Sequence, residues 1–261
     1  MIEINNQNLR SSGRGQNFDR TRSWIEKSGI EQVSNIQISL PDQVSGFYGL
    51  KEFKFTNCGM SGRLGPNLPL CISFYNTDYN TDWVKNENYF SMPTRGIQKV
   101  TIPCSAEFEF TAFGAGWQNY GAMATSNVIL EAGTNIYIGI GQRGNEVFDG
   151  CGGTFVAIRE YSNIRESGKF LPIIIAGGAG GGYYPEEHRE KYIYGNGSTD
   201  QFGNRSNKIE ERNKKNGKAG KSAETLYYNG GNGFEGRIKG NWEETVETPQ
   251  SFEDGLNGGQ R

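Results

Sequence analysis

The stretch Asn135-Ile136-Tyr137-Ile138-Gly139-Ile140-Gly141-Gln142-Arg143-Gly144 decides the fold class. Its first half alternates apolar and other residues, the signature of a strand. Its second half, Gly139 to Gly144, fits G-x-G-x-x-G. A dinucleotide fold needs a helix to start there, so that the helix N-terminus meets the pyrophosphate. The next residues are Asn145-Glu146-Val147-Phe148-Asp149-Gly150-Cys151-Gly152-Gly153, too glycine-rich for a stable helix. The stretch therefore predicts a strand that runs into a glycine loop, not the opening of a parallel α/β unit.

Working outward, the same texture recurs on both sides. Ile36, Ile38 and Leu40 alternate. So do Tyr48–Phe55, the run Ile97–Ile102 closed by Pro103, and Phe108-Glu109-Phe110-Thr111-Ala112. Cys71–Tyr75, Asn127–Leu130, Thr154–Ile158 and Phe170–Ala176 complete the strand candidates, and 76–88 reads as a loop. Short β-type runs separated by turn residues, without crossover helices of ten or more residues over 36–180, predict an all-β antiparallel sandwich. Its expected core is Phe53, Phe55, Ile97, Val100, Ile102, Phe108, Phe110, Ile136, Ile138, Phe155, Ile173 and Ile175. Three regions follow: a polar, poorly ordered lead-in at 1–35, a glycine-rich β-sandwich domain at 36–184, and an extension at 185–261. That extension is Asn/Lys/Glu-rich and then Gly/Asn-rich, and reads as an insertion or as disorder.

Composition narrows the function classes. The chain has 261 residues with 27 Lys+Arg against 29 Asp+Glu, a formal net charge of −2. That balance lacks the basic excess of nucleic-acid binders, so no nucleic-acid partner is expected. The single histidine, His188, sits beside Glu186, Glu187 and Glu190. This pattern reads as a solvated charged turn, and neither a metal nor a catalytic triad is expected. No apolar run is long enough to cross a membrane, and Met1-Ile2-Glu3-Ile4-Asn5-Asn6 carries no secretory signal. Gly220-Lys221-Ser222 lacks the earlier glycine of a P-loop. No cofactor is expected.

Glycine is the outlier, 38 residues with only 8 prolines, about twice the usual glycine share. Gly177-Gly178-Ala179-Gly180-Gly181-Gly182 follows Ile173-Ile174-Ile175 directly. Glycine is costly in regular structure, so such a run beside a hydrophobic strand predicts close backbone packing of extended, polyglycine-like segments. Four cysteines, Cys58, Cys71, Cys104 and Cys151, form no CxxC pair. An even count fits two disulfides or four thiols alike. Cys58 and Cys71 are the more persuasive pair, since Gly59 to Pro66 between them must turn. Cys104 and Cys151 are the remaining pair. Asn196-Gly197-Ser198 and Asn204-Arg205-Ser206 offer Asn196 and Asn204 as glycosylation acceptors if the chain is secreted.

Six pieces in register resemble a known family. They are Phe55-Thr56-Asn57-Cys58-Gly59-Met60-Ser61-Gly62-Arg63-Leu64-Gly65-Pro66 with Cys71; Gly96-Ile97-Gln98 leading to Pro103; and Phe113-Gly114-Ala115-Gly116. The other three are Ile136 to Gly144, Gly150-Cys151-Gly152-Gly153-Thr154-Phe155-Val156, and Leu171 to Gly181. Together they resemble the glycine-rich ectodomain of the anaplastic lymphoma kinase and leukocyte tyrosine kinase receptors, over 53–184. The resemblance implies a tumour-necrosis-factor-like β-sandwich joined to bundled polyglycine helices, a Cys58–Cys71 disulfide, and a non-catalytic module at the extracellular face of the plasma membrane. It implies a protein ligand, receptor dimerisation, and signalling through a receptor protein-tyrosine kinase if the parent carries a kinase domain. The chain itself has neither His-Arg-Asp nor Asp-Phe-Gly, so no enzyme activity is expected of it. The glycine runs here are fewer and shorter than the family's, and 185–261 departs from its pattern. The alternative is a structural or adhesive cell-surface glycine-rich protein without a kinase.

Overall fold

A computed structural model describes residues 34–39, 47–62, 64–76, 81–117, 120–144, 150–162 and 165–179, together with residues 197 and 252. Two antiparallel sheets face each other. The first carries β1 (Asn35–Ser39), β2 (Glu52–Thr56), β5 (Ala106–Phe113) and β6 (Met123–Leu130) in the order β2-β1-β5-β6. The second carries β3 (Phe90–Thr94), β4 (Ile97–Thr101), β7 (Asn135–Gly139), β8 (Thr154–Ser162) and β9 (Arg165–Ala176) in the order β3-β4-β7-β8-β9. The all-β sandwich expected from the alternating runs is what forms.

Period-two alternation explains the burial. β2 reads exposed, buried, exposed, buried from Glu52, and β5 sends Phe108, Phe110 and Ala112 inward while Glu107 and Glu109 stay in water. The inner faces meet through Ile36, Ile38, Phe53, Phe55, Phe108, Phe110, Val100, Ile102, Ile136, Ile138, Val156 and Ile174. One side of this core is aromatic. Phe47 lies edge-on to Phe55, Trp83 and Phe108, with ring centroids 5.6–6.4 Å apart, and Tyr48 stacks flat on Trp83 at 4.4 Å. Edge-to-face and offset contacts of this kind add to plain burial.

Four expectations need correction. Cys71–Tyr75 is not a strand: it is the end of a helix, α1 (Leu68–Tyr75). Asn67 caps that helix by accepting from Leu70 N–H, and Pro69 sits in its first turn, where no backbone donor is required. A five-residue apolar run has no period long enough to separate helix from strand. Second, the loop at 76–88 holds a short 3-10 turn, Asp82–Lys85, whose Trp83 and Val84 belong to the core. Third, Tyr48–Phe55 is not one strand. Leu50 N–H donates to Phe47 O at 2.9 Å around Tyr48 (φ 51°) and Gly49 (φ 86°), a tight turn with two left-handed residues, before β2 begins. Fourth, Ile173 and Ile175 are only partly buried, while Ile174 points into the core. A register shift between Val156 and Ala157 on β8 changes the phase of β9 at this point.

One residue of the extension, Phe252, is fully buried, against β8 and β9. Apart from Gly197, the remainder of that region, with His188, Asn196 and Asn204, and the lead-in up to Val33 lie outside the described residues.

Candidate binding surface at the glycine bundle

The connections at one end of the sandwich gather into a bundle. Residues 114–116 leave β5, 121–122 enter β6, 140–143 leave β7, 150–153 enter β8 and 177–179 leave β9. None of them is helix or strand, and their hydrogen bonds run between segments. Ala115 N–H donates to Gly152 O at 3.0 Å, Cys151 N–H to Ala179 O at 2.8 Å, and Ala179 N–H to Ala115 O at 2.8 Å. Three segments thus close a ring in which each donates to the next. Gly152 N–H extends it to Gln142 O at 2.9 Å, and Ala122 N–H to Gly177 O at 2.8 Å.

This explains the glycines. A Cβ on Gly114 would lie 2.0 Å from Gly177 O, one on Gly141 2.0 Å from Gly152 O, and one on Gly178 2.1 Å from Cys151 O. No side chain can occupy such positions without moving backbone. Their φ values lie outside the left-handed region, so close approach, not turn geometry, selects glycine here. The close packing expected for the Gly177 run is present at 177–179. Small residues fill the ring, with Ala115, Cys151 and Ala179 forming a buried cluster of their own.

The same geometry accounts for Gly139–Gly144. Gly141 N–H is bonded to Thr154 Oγ1 at 3.1 Å, its carbonyl accepts from Ser34 Oγ, and residues 141–144 form no helix. The segment's backbone is used for packing where a dinucleotide fold would present it to phosphate.

On the outer surface of the bundle, large side chains meet water. Trp117 is 42% exposed and Tyr120 40% exposed, and the Arg143 guanidinium lies 5.2 Å from the Trp117 ring centroid. A cation held over a ring face is attracted to it. Arg143 O also accepts from Gly62 N–H at 2.8 Å, which ties the loop after Cys58 to the bundle. Trp, Tyr and Arg are the residue types that dominate binding energy at protein interfaces. The sequence signal for them was weak, since Trp117 and Tyr120 belong to no alternating run.

Cys58 and Cys71 stand behind that loop. Both are buried thiols, with sulfurs 2.7 Å apart. The contact between the two sulfurs pulls the Cys58 thiol below its usual range. The same contact, together with burial, pushes Cys71 far up. Tyr75 completes the cluster: its hydroxyl accepts from Thr56 N–H at 2.9 Å and lies 2.8 Å from Gln98 Oε1. Gln98, fully buried, donates to Thr56 O at 2.9 Å. Burial raises the Tyr75 phenol well above its usual range, and the Cys58 sulfur adds to the rise.

Cys104 and Cys151 are not brought together. β4 and β7 pair from Ile97↔Gly139 to Thr101↔Asn135. Cys104 follows the Thr101 end, whereas Cys151 joins the bundle beyond the Gly139 end. Four strand steps, about 13 Å, separate those ends, well past the reach of a disulfide. Among the described residues no group of three His, Cys, Asp or Glu side chains could hold a metal ion. No helix of the described residues is long and apolar enough to cross a membrane.

No family model matches the chain, and no curated protein matches it.

Proposed function

We propose that this chain is a non-catalytic extracellular glycine-rich module that binds a protein ligand, as the resemblance to the anaplastic lymphoma kinase and leukocyte tyrosine kinase ectodomains implies. The observation that carries the reading is the ring of Ala115, Cys151–Gly152 and Ala179 beside a β-sandwich, with Trp117, Tyr120 and Arg143 on its surface. A backbone-bonded ring gives those three side chains a rigid base, so little conformational entropy is lost when a partner covers them. If the parent carries a kinase domain, ligand-driven receptor dimerisation would pass the signal inward.

The compartment is tested at Cys58 and Cys71. Their 2.7 Å approach means that a bond of about 2.05 Å closes with less than about 1 Å of movement. Chain made through an oxidising secretory pathway should give a Cys58–Cys71 linked peptide on non-reducing digestion. A bridge closing about 14 residues contributes roughly 3 kcal/mol, so reduction should lower stability measurably. Free thiols at both positions in secreted material would count against an extracellular module.

The binding claim is tested by exposing the secreted chain, fused to a dimeric tag, to intact cells and to their conditioned medium. Saturable binding that protease treatment of the target destroys, and that Trp117→Ala weakens at least tenfold, is the expected result. Homotypic aggregation of coated beads, without any saturable ligand, would favour the adhesive alternative.

A further inference from the structure

The second sheet buries both of its faces. Alternation sends Val100, Ile136, Ile138, Val156 and Ile174 into the sandwich, and Ile97, Tyr137, Phe155, Ala157 and Phe170 to the other side. This outer cluster is separate from the main core, and Phe252 completes it. The Phe252 ring is fully buried, 5.7 Å from Phe155 and 5.1 Å from Phe170 between centroids. Seventy-five residues separate it from Ala176, the end of β9.

The register shows how a seat for one ring arises. On β8 the outward positions are Phe155, Ala157 and Arg159, with Tyr137 opposite Ala157 and Phe170 opposite Arg159. Ala157 is the small residue between larger neighbours, so a depression forms over it. Arg159 is the charged member of this face. Its guanidinium lies 4.7 Å from the Phe170 centroid and 5.4 Å from that of Tyr137. Its Nε is buried and meets no hydrogen-bond acceptor among the described residues. A buried cationic donor without an acceptor is costly, and a carboxylate is the group that relieves that cost best. In the sequence, Phe252 is followed at once by Glu253 and Asp254.

We propose that the outer face of β7, β8 and β9 is a docking site for a phenylalanine followed by acidic residues. Its occupant is this chain's own segment around Phe252, with Phe155 and Phe170 seating the ring and Arg159 supplying the charge. The contact is a separable latch laid on a finished sheet. A tether of this length keeps the segment at high effective concentration, so each individual contact can be modest while the seat stays filled.

The test uses the full chain with a protease recognition sequence in place of residues 229–233. After cleavage, the fragment that carries Phe252 should co-elute with the sandwich on gel filtration. A synthetic peptide of residues 246–258 in excess should displace it. The same peptide with Phe252→Ala should be at least tenfold weaker as a competitor. A peptide with Glu253→Gln and Asp254→Asn should be several-fold weaker at low salt, a difference that disappears at high salt and in the Arg159→Gln chain. If Arg159→Gln does not fold, the salt dependence alone decides the charge contribution. The proposal is overturned if the fragment falls away at once and the peptide does not bind. It is equally overturned if the Phe252→Ala peptide competes as well as the native one. Unfolding of the sandwich on cleavage would also overturn it, because Phe252 would then be an inseparable part of the core.

Discussion

At the residue scale, two kinds of glycine separate cleanly. Gly49 has φ 86° and open space around its missing Cβ, while Gly178 has ordinary φ and a carbonyl oxygen 2.1 Å from the place a Cβ would take. Gly49→Ala should cost only the left-handed penalty, about 1–2 kcal/mol. Gly178→Ala forces backbone apart inside a bonded ring and should cost about 3 kcal/mol or more, at the upper end of overpacking effects. Urea unfolding of both variants checks the order, and a smaller loss at Gly178 would mean that the ring yields easily. Tyr75 supports a pH prediction. Its phenol is raised above its unfolded value of 10.0, so folding holds the proton that the unfolded chain releases. The stability from keeping Tyr75 neutral is complete below about pH 10 and is lost as pH rises beyond it, by up to about 1.4 kcal/mol per pH unit. Tyr75→Phe should flatten the alkaline fall in urea midpoint, although it also removes the bonds to Thr56 and Gln98 and lowers the plateau. An unchanged alkaline slope would show that the phenol titrates normally.

At the element scale, α1 carries Cys71 and Tyr75 to the core, so its cap matters beyond the helix itself. Asn67→Ala removes the side-chain acceptor for Leu70 N–H and should cost about 1 kcal/mol. The check is a thermal melt of the Asn67→Ala chain beside the native one, in which the midpoint should fall. An unchanged midpoint would mean that tertiary contacts alone hold the helix. This helix also shows where sequence reading runs out. A strand such as Ala106–Phe113 is legible because one face meets water and the alternation is clean. Cys71–Tyr75 is apolar nearly throughout, and the decisive signal lay outside it, in Asn67 and Pro69. Ile173, Ile174 and Ile175 failed for a related reason. Three identical residues carry no phase, and a bulge at Ile173 within β9, where Ile174 pairs with Val156 but Pro172 with Ala157, sets which one faces inward.

At the scale of the whole molecule, the glycine bundle joins the two sheets. Segments 114–116 and 121–122 come from the first sheet, and 140–143, 150–153 and 177–179 from the second. The ring cannot close until strands of both sheets stand in register. The sequence showed that glycines were many and that Gly177 followed a strand. It could not show that Gly114 faces Gly177, or that Phe252 reaches β8, because those contacts depend on chain segments far apart. A closed ring with no spare slack should open only when the sandwich does. The amides of Ala115, Cys151 and Ala179 should therefore exchange with solvent hydrogen only through global unfolding, with the same free energy as core amides such as Ile138. Gly178→Ala should bring all three to faster exchange together, ahead of Ile138, since the new methyl presses on Cys151 and Gly152 and so forces apart two of the three segments that close the ring. Native-state hydrogen exchange followed by NMR reads both results. Should the three amides open at different free energies in the native chain, the segments would be independent loops, and the rigid base argued for Trp117, Tyr120 and Arg143 would be lost with the ring.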